Sequence, residues 1–216
     1  MICVALLATT VTVFVFSAGY SAARSQRTAV KTPPKAAAKG SPNRPAKSLP
    51  MAAAFTMPDA DGKSRSLAGY HGHPVTMFFY CGCEWCHRCA TDWGQFQRGG
   101  ALPKDTDGTT PATLIVYSGD ASAAKQFSNE TGLSAADTVL LPDPKLDVTI
   151  SKYDAEPCPR VFVVNRDGRI VYTNNHKDDA ARSAPEMVIV SRALDALRKA
   201  AQPVTSAAGA TKGTSN

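Results

Sequence analysis

The sequence predicts an α/β fold, a central mixed β-sheet flanked by helices on both faces, on three observations. Pro74–Tyr80 (PVTMFFY) and Ala112–Ser118 (ATLIVYS) are uncharged apolar runs bounded by turn residues, as strands buried on both sides are. A stretch of helical character follows each run, as in βα units. Arg166-Asp167-Gly168 separates two further apolar runs and reads as a hairpin turn.

Taken in order, Phe55–Pro58 followed by Asp61-Gly62-Lys63 reads as a short strand entering a turn, an N-terminal hairpin extension to the sheet. After the strand 74–80, Glu84 to Arg98 forms a helix that Gly99-Gly100 ends. After 112–118, Asp120 is the expected N-cap of a helix that stops near Gly132. Thr138–Leu141 is then a short strand and Lys145–Tyr153 a short helix. Arg160–Asn165 and Arg169–Asn174 are the hairpin strands. Ala184–Ala201 is a final amphipathic helix, with Met187, Val190, Leu194 and Leu197 on its apolar side.

The 216 residues are 44% hydrophobic and 19% charged, enough for one core but not for two ordinary domains. The net charge of +6 is unevenly placed. Arg24, Arg27, Lys31, Lys35, Lys39, Arg44 and Lys47 face no acidic residue within 24–50, which leaves 17 basic and 18 acidic residues from Met51 onward. The folded region is therefore nearly neutral, and the charge does not argue for nucleic acid. Residues 24–50, rich in Ala, Pro and Lys, read as a solvated linker, with contact to an anionic membrane surface as the other reading. Residues 1–23 carry no charged side chain and end in Ser21, Ala22 and Ala23, so they read as a signal peptide or a membrane anchor. The organisation expected is 1–23 leader, 24–50 linker, 51–201 folded domain and 202–216 disordered tail. An exported chain is implied, periplasmic or anchored to the outer face of the cytoplasmic membrane.

The chemistry-bearing residues cluster in Cys81-Gly82-Cys83-Glu84-Trp85-Cys86-His87-Arg88-Cys89, at a strand end and a helix start. Structural disulfides stabilise most by closing long loops, so this spacing suits another purpose. At a helix N-terminus the unpaired N–H groups and the dipole favour a thiolate, and a second cysteine one turn on can resolve a mixed disulfide. A redox dithiol is the reading, in one of two registers: Cys83/Cys86 or Cys86/Cys89. In the second, His87 and Arg88 would lower the pKa of the Cys86 thiol. Cys158 lies far along the chain, in Glu156-Pro157-Cys158-Pro159-Arg160.

Trp85 before Cys86 resembles the Trp-Cys-x-x-Cys site of the thioredoxin superfamily. From Met51 to Ala201, the Asp61-Gly62-Lys63 turn, Leu67, PVTMFFY, that motif and PRVFVVNRDGRIVY recur in the order of a TlpA/ResA-type redoxin domain of the AhpC/TSA group. The resemblance implies a thioredoxin-like fold and dithiol–disulfide exchange with protein substrates and a redox partner. It favours Cys86 as the exposed nucleophile and Cys89 as the buried resolving thiol. It also implies a cis Pro159 facing them, with Trp85, Cys158 and Pro159 against the substrate. Cys81, Cys83 and Cys158 depart from the family's pattern.

Two functional alternatives accompany this reading, beside a third in which Cys81, Cys83 and Cys158 only form accessory disulfides. Cys81, Cys83, Cys86, Cys89 and Cys158 offer thiolates that suit Cu(I) or Zn, so a metal-binding protein on the same scaffold is one. A thiol peroxidase is the other, disfavoured because Tyr80, Cys83 and Cys86 stand where that chemistry places Thr or Ser. Its arginine position would fall on Pro159 instead of Arg160. His71 and His73, spaced His-x-His, are read as turn residues, and His176 as solvated. Nothing in the sequence calls for an organic cofactor.

Overall fold

The computed structural model describes residues 49–174 and 185–203. The expected leader, nearly all of the linker, most of the tail and His176 lie outside the described residues. Among those described, no helix is long and apolar enough to cross a membrane.

Strands β1 (Thr56–Pro58) and β2 (Ser64–Ser66) form an antiparallel hairpin, and a 3₁₀ turn follows at Leu67–Tyr70. The main sheet contains β3 (Val75–Tyr80), β4 (Ala112–Tyr117), β5 (Thr138–Pro142), β6 (Arg160–Val164) and β7 (Ile170–Thr173). Its strand order is β5-β4-β3-β6-β7. β3 runs parallel to β4, and β4 to β5, while β6 and β7 complete the sheet antiparallel. The helices are α1 (Glu84–Arg98), α2 (Ala121–Thr131) and α3 (Glu186–Ala201).

β3 is central and buried along its whole length, which is why its apolar run is continuous instead of alternating. The alternation persists in which side each residue serves. Phe78 and Tyr80 join Val161 and Val163 beneath the helices, with Trp93, Phe127 and Leu194 packed on them. Met77 and Phe79 join Phe162 on the other face, under Phe55, Met57 and Tyr153. Trp93 donates from Nε1 to Thr113 Oγ1 at 3.0 Å, which satisfies its one polar atom in the core. α1 and α2 approach closely at Gly94, where a Cβ would stand 2.7 Å from the Gly132 carbonyl.

Two linked expectations fail. The three described α-helices all pack on the same face, and Lys145–Tyr153 is a series of turns instead of a helix. The reason is Asp143, whose buried carboxylate accepts from the backbone N–H groups of Asp147, Val148 and Thr149 and from the Thr149 hydroxyl. A side chain that captures three successive donors replaces the helical ladder with a turn. Leu146 and Asp154, at φ 60° and 44°, bend the segment further. The N-terminal hairpin, the 3₁₀ turn and this segment cover the second face. Asp120 does cap α2, accepting from the Ala123 N–H at 2.8 Å.

Candidate active site

The site forms where β3 ends and α1 begins. After Tyr80 the chain turns through Gly82, at φ 81°. A side chain there would be strained, and its Cβ would meet the Tyr117 hydroxyl at 2.5 Å. The turn places Cys83 at the N-cap of α1, with extended backbone (φ −70°, ψ 167°). Cys86 is then the third helical residue and Cys89 lies a turn deeper.

Four sulfurs converge: those of Cys81, Cys83, Cys86 and Cys158 all lie within 4.8 Å of one another. Cys81 and Cys158 form a disulfide that joins the end of β3 to the loop before β6 across 77 residues. Cys83 and Cys86 are free thiols with their sulfurs 3.5 Å apart. Cys86 Sγ lies 3.8 Å from Cys81 Sγ, and Cys83 Sγ lies 3.9 Å from Cys158 Sγ. Cys89 stands outside this cluster and accepts a hydrogen bond from the Tyr80 hydroxyl at 3.4 Å. The peptide bonds before Pro157 and Pro159 are both cis, the second as the resemblance implies. Buried Asn174 braces the loop, accepting from Val161 N–H at 2.7 Å and donating to the Pro159 carbonyl at 2.9 Å.

Burial matches one expectation and not the other. Cys89 is buried as expected, but Cys86, expected to be exposed, has 0% exposure, and Cys83 is half-buried at the rim. The helix start explains this: the N-cap faces outward and the third residue faces in. Burial also pushes the Cys86 thiol well above its ordinary value, against hydrogen bonds from the Cys81 and Gly82 N–H groups that pull it down. Cys89 is pushed up to about 12, mainly by burial, with Asp92 and Glu186 adding to the rise.

His87 and Arg88, expected to place positive charge near Cys86, are engaged with other groups. His87 packs its ring edge-on to Phe127 and lies 3.9 Å from a Glu130 oxygen. Arg88 pairs with Glu84 and lies 5.6 Å over the ring of Trp85, which is itself 58% exposed. Arg160 belongs to the other face of the sheet, donating to the Asn174 carbonyl and stacking on Phe162. His73 pairs with Asp105 at 2.8 Å. Tyr80, Tyr117 and Asn174 were missed from sequence. Of these, only Tyr80, which ends a buried strand beside the cysteines, carried a local signal.

The family's model matches residues 50–173, from the hairpin extension to the last strand of the sheet. The chain belongs to the AhpC/TSA family. Solved structures place this redoxin among thioredoxin-like folds. Peroxidoxin BcpB from Mycobacterium tuberculosis superposes with a TM-score of 0.55 at 17% identity, over 71% of this chain and 97% of that one. MTB dsbF, in its mixed oxidised and reduced forms, gives 0.52 at 17%, over 69% and 99%. BsSco, a member of the Sco family of cytochrome c oxidase assembly proteins, gives 0.50 at 16%, over 71% and 98%. Identities this low establish the fold alone. Among curated proteins, none matches this sequence.

Proposed function

We propose that this redoxin is an exported or membrane-tethered thiol–disulfide oxidoreductase acting on protein disulfides. The observation that carries this is a pair of free thiols 3.5 Å apart at the start of α1, both in sulfur contact with a disulfide. Three sulfurs within reach of one another are the requirement for exchange through a mixed disulfide.

Cys86 belongs to both registers, and the geometry favours Cys83 as its partner. The Cys83 thiolate attacks one sulfur of a substrate disulfide docked against Trp85 and Cys158-Pro159. A Cys83–substrate bond forms, the substrate's S–S bond breaks, and the departing thiolate takes a proton. Cys86 then gives up its proton and attacks Cys83 Sγ. The Cys83–Cys86 disulfide forms and the substrate leaves as a dithiol, carrying the two electrons the pair has lost. A redox partner returns the pair to the dithiol, and the reverse sequence makes an oxidase. The Cys86–Cys89 register needs Cys86 uncovered first, since Cys81 and Cys83 stand against its sulfur.

Export rests on the uncharged stretch 1–23 and on the disulfide, which belongs in an oxidising compartment. The basic residues of 24–50 suit an anionic membrane surface. A peroxidase reading is less favoured, because Arg160 lies on the sheet face opposite the sulfurs. The test is reduction of insulin disulfides by the full chain, with Cys83→Ser, Cys86→Ser and Cys89→Ser compared. Loss in the first two with Cys89→Ser active supports the Cys83/Cys86 pair. Loss in the last two with Cys83→Ser active supports Cys86/Cys89, and no activity in the parent protein overturns the proposal.

A further inference from the structure

We propose that, once the Cys81–Cys158 disulfide is reduced, Cys81, Cys83, Cys86 and Cys158 form a closed tetrahedral thiolate site for Zn²⁺. This goes beyond the exchange chemistry, since it needs no particular thiol to attack first, and it leaves Cys89 out.

The distances carry the argument. Four sulfurs bound to one zinc at about 2.3 Å stand about 3.8 Å apart along each tetrahedral edge. The contacts among these cysteines are 3.5, 3.8 and 3.9 Å, and all four sulfurs fall within 4.8 Å of one another. Only the bonded pair, Cys81 and Cys158, must separate. Their Cα atoms are 6.3 Å apart on different segments, so side-chain rotation accommodates the change.

The local sequence has one ligand spacing that structural zinc sites use. Cys83-x-x-Cys86 supplies ligands from an N-cap and the first helical turn, Cys81 adds a third from the same loop, and Cys158 closes the site from the opposite loop. Gly82, at φ 81°, permits the turn that aims Cys81 and Cys83 at one point. The Cys81 N–H donates to Cys86 Sγ at 3.4 Å, a bond that supports negative charge on a buried sulfur. Four thiolates and no imidazole make a Cys₄ set, which suits the borderline-soft d¹⁰ ion Zn²⁺. Opening the Cys81–Cys158 bond takes two electrons and two protons, which a dithiol supplies as it becomes a disulfide. The site therefore exists only in the reduced protein, and metal binding is gated by redox state.

The test is titration of the reduced full-length protein with Co²⁺ under argon, followed by displacement with Zn²⁺. The expected result is one ion per chain, with the visible bands of tetrahedral thiolate cobalt. Protein with Cys81–Cys158 closed shows no such bands. Cys158→Ser and Cys83→Ser should each weaken Zn²⁺ by more than the roughly 10–100-fold typical of losing an outer-sphere partner. Cys89→Ser should bind like the parent protein, whatever becomes of its insulin-reducing activity. The proposal is overturned if the reduced parent binds no metal, if the oxidised form binds equally well, or if Cys89→Ser weakens binding as much as Cys158→Ser.

Discussion

One face of the five-stranded sheet packs cysteines among its aromatic rings, and the other, among the described residues, packs rings without cysteine. Beneath the helices, Cys86 and Cys89 pack on Tyr80, Val161 and Val163. On the far side, Phe79, Tyr153 and Phe162 meet with ring centroids 5.1–5.6 Å apart, joined by Phe55. Strand alternation sends neighbours Phe79 and Tyr80 to opposite faces, so one short segment serves both. The difference teaches that chemistry and mechanical support are separable here. Changes to the cysteines should alter rates, and changes on the cysteine-free face should alter stability.

The strongest way to break that separation is Cys86→Ser. We expect insulin reduction to fall at least about 1,000-fold, equivalent to about 4 kcal/mol, while cooperative thermal unfolding persists. Its counterpart is Phe79→Ala, which should cost about 3–5 kcal/mol in urea unfolding and leave the exchange rate of the folded fraction unchanged. A slowed folded fraction would show that the faces are coupled.

Smaller effects sharpen the comparison. Asp105 is nearly inaccessible, and although burial opposes it, hydrogen bonds from His73, the Thr106 N–H and Arg166 hold its carboxyl below the ordinary value. Its folded-state pKa is depressed, so its contribution is present above the unfolded value and is lost as pH falls through the folded one. Asp105→Asn should cost about 2 kcal/mol at neutral pH, and the gap should close as pH drops below about 4, measured by urea midpoints across that range. Tyr153→Phe removes a 2.7 Å bond to the Ala53 carbonyl and should cost about 1 kcal/mol with no effect on exchange.

The same division explains what was legible beforehand. Strands β3, β4, β6 and β7 were readable because buried apolar runs and a hairpin turn are local signals. The Lys145–Tyr153 segment was not, because the Asp143 carboxylate takes over backbone donors that a local pattern assigns to a helix. At the site, the cluster 81–89 and the cis Pro159 were visible from residue types and resemblance. The pairing of Cys81 with Cys158 was not, since it depends on two loops 77 residues apart meeting in space. The depth of Cys86 was misjudged for a related reason. Exposure depends on where the helix starts, and Trp85 drew attention to a register three residues later than the N-cap.

The central claim is that Cys83 makes the first attack and Cys86 resolves it. It is tested most directly by mass-spectrometric mapping of the mixed disulfide that Cys86→Ser accumulates with a disulfide substrate. The account predicts substrate bonded to Cys83. No adduct in that variant, with substrate bonded to Cys86 in Cys89→Ser, would contradict it.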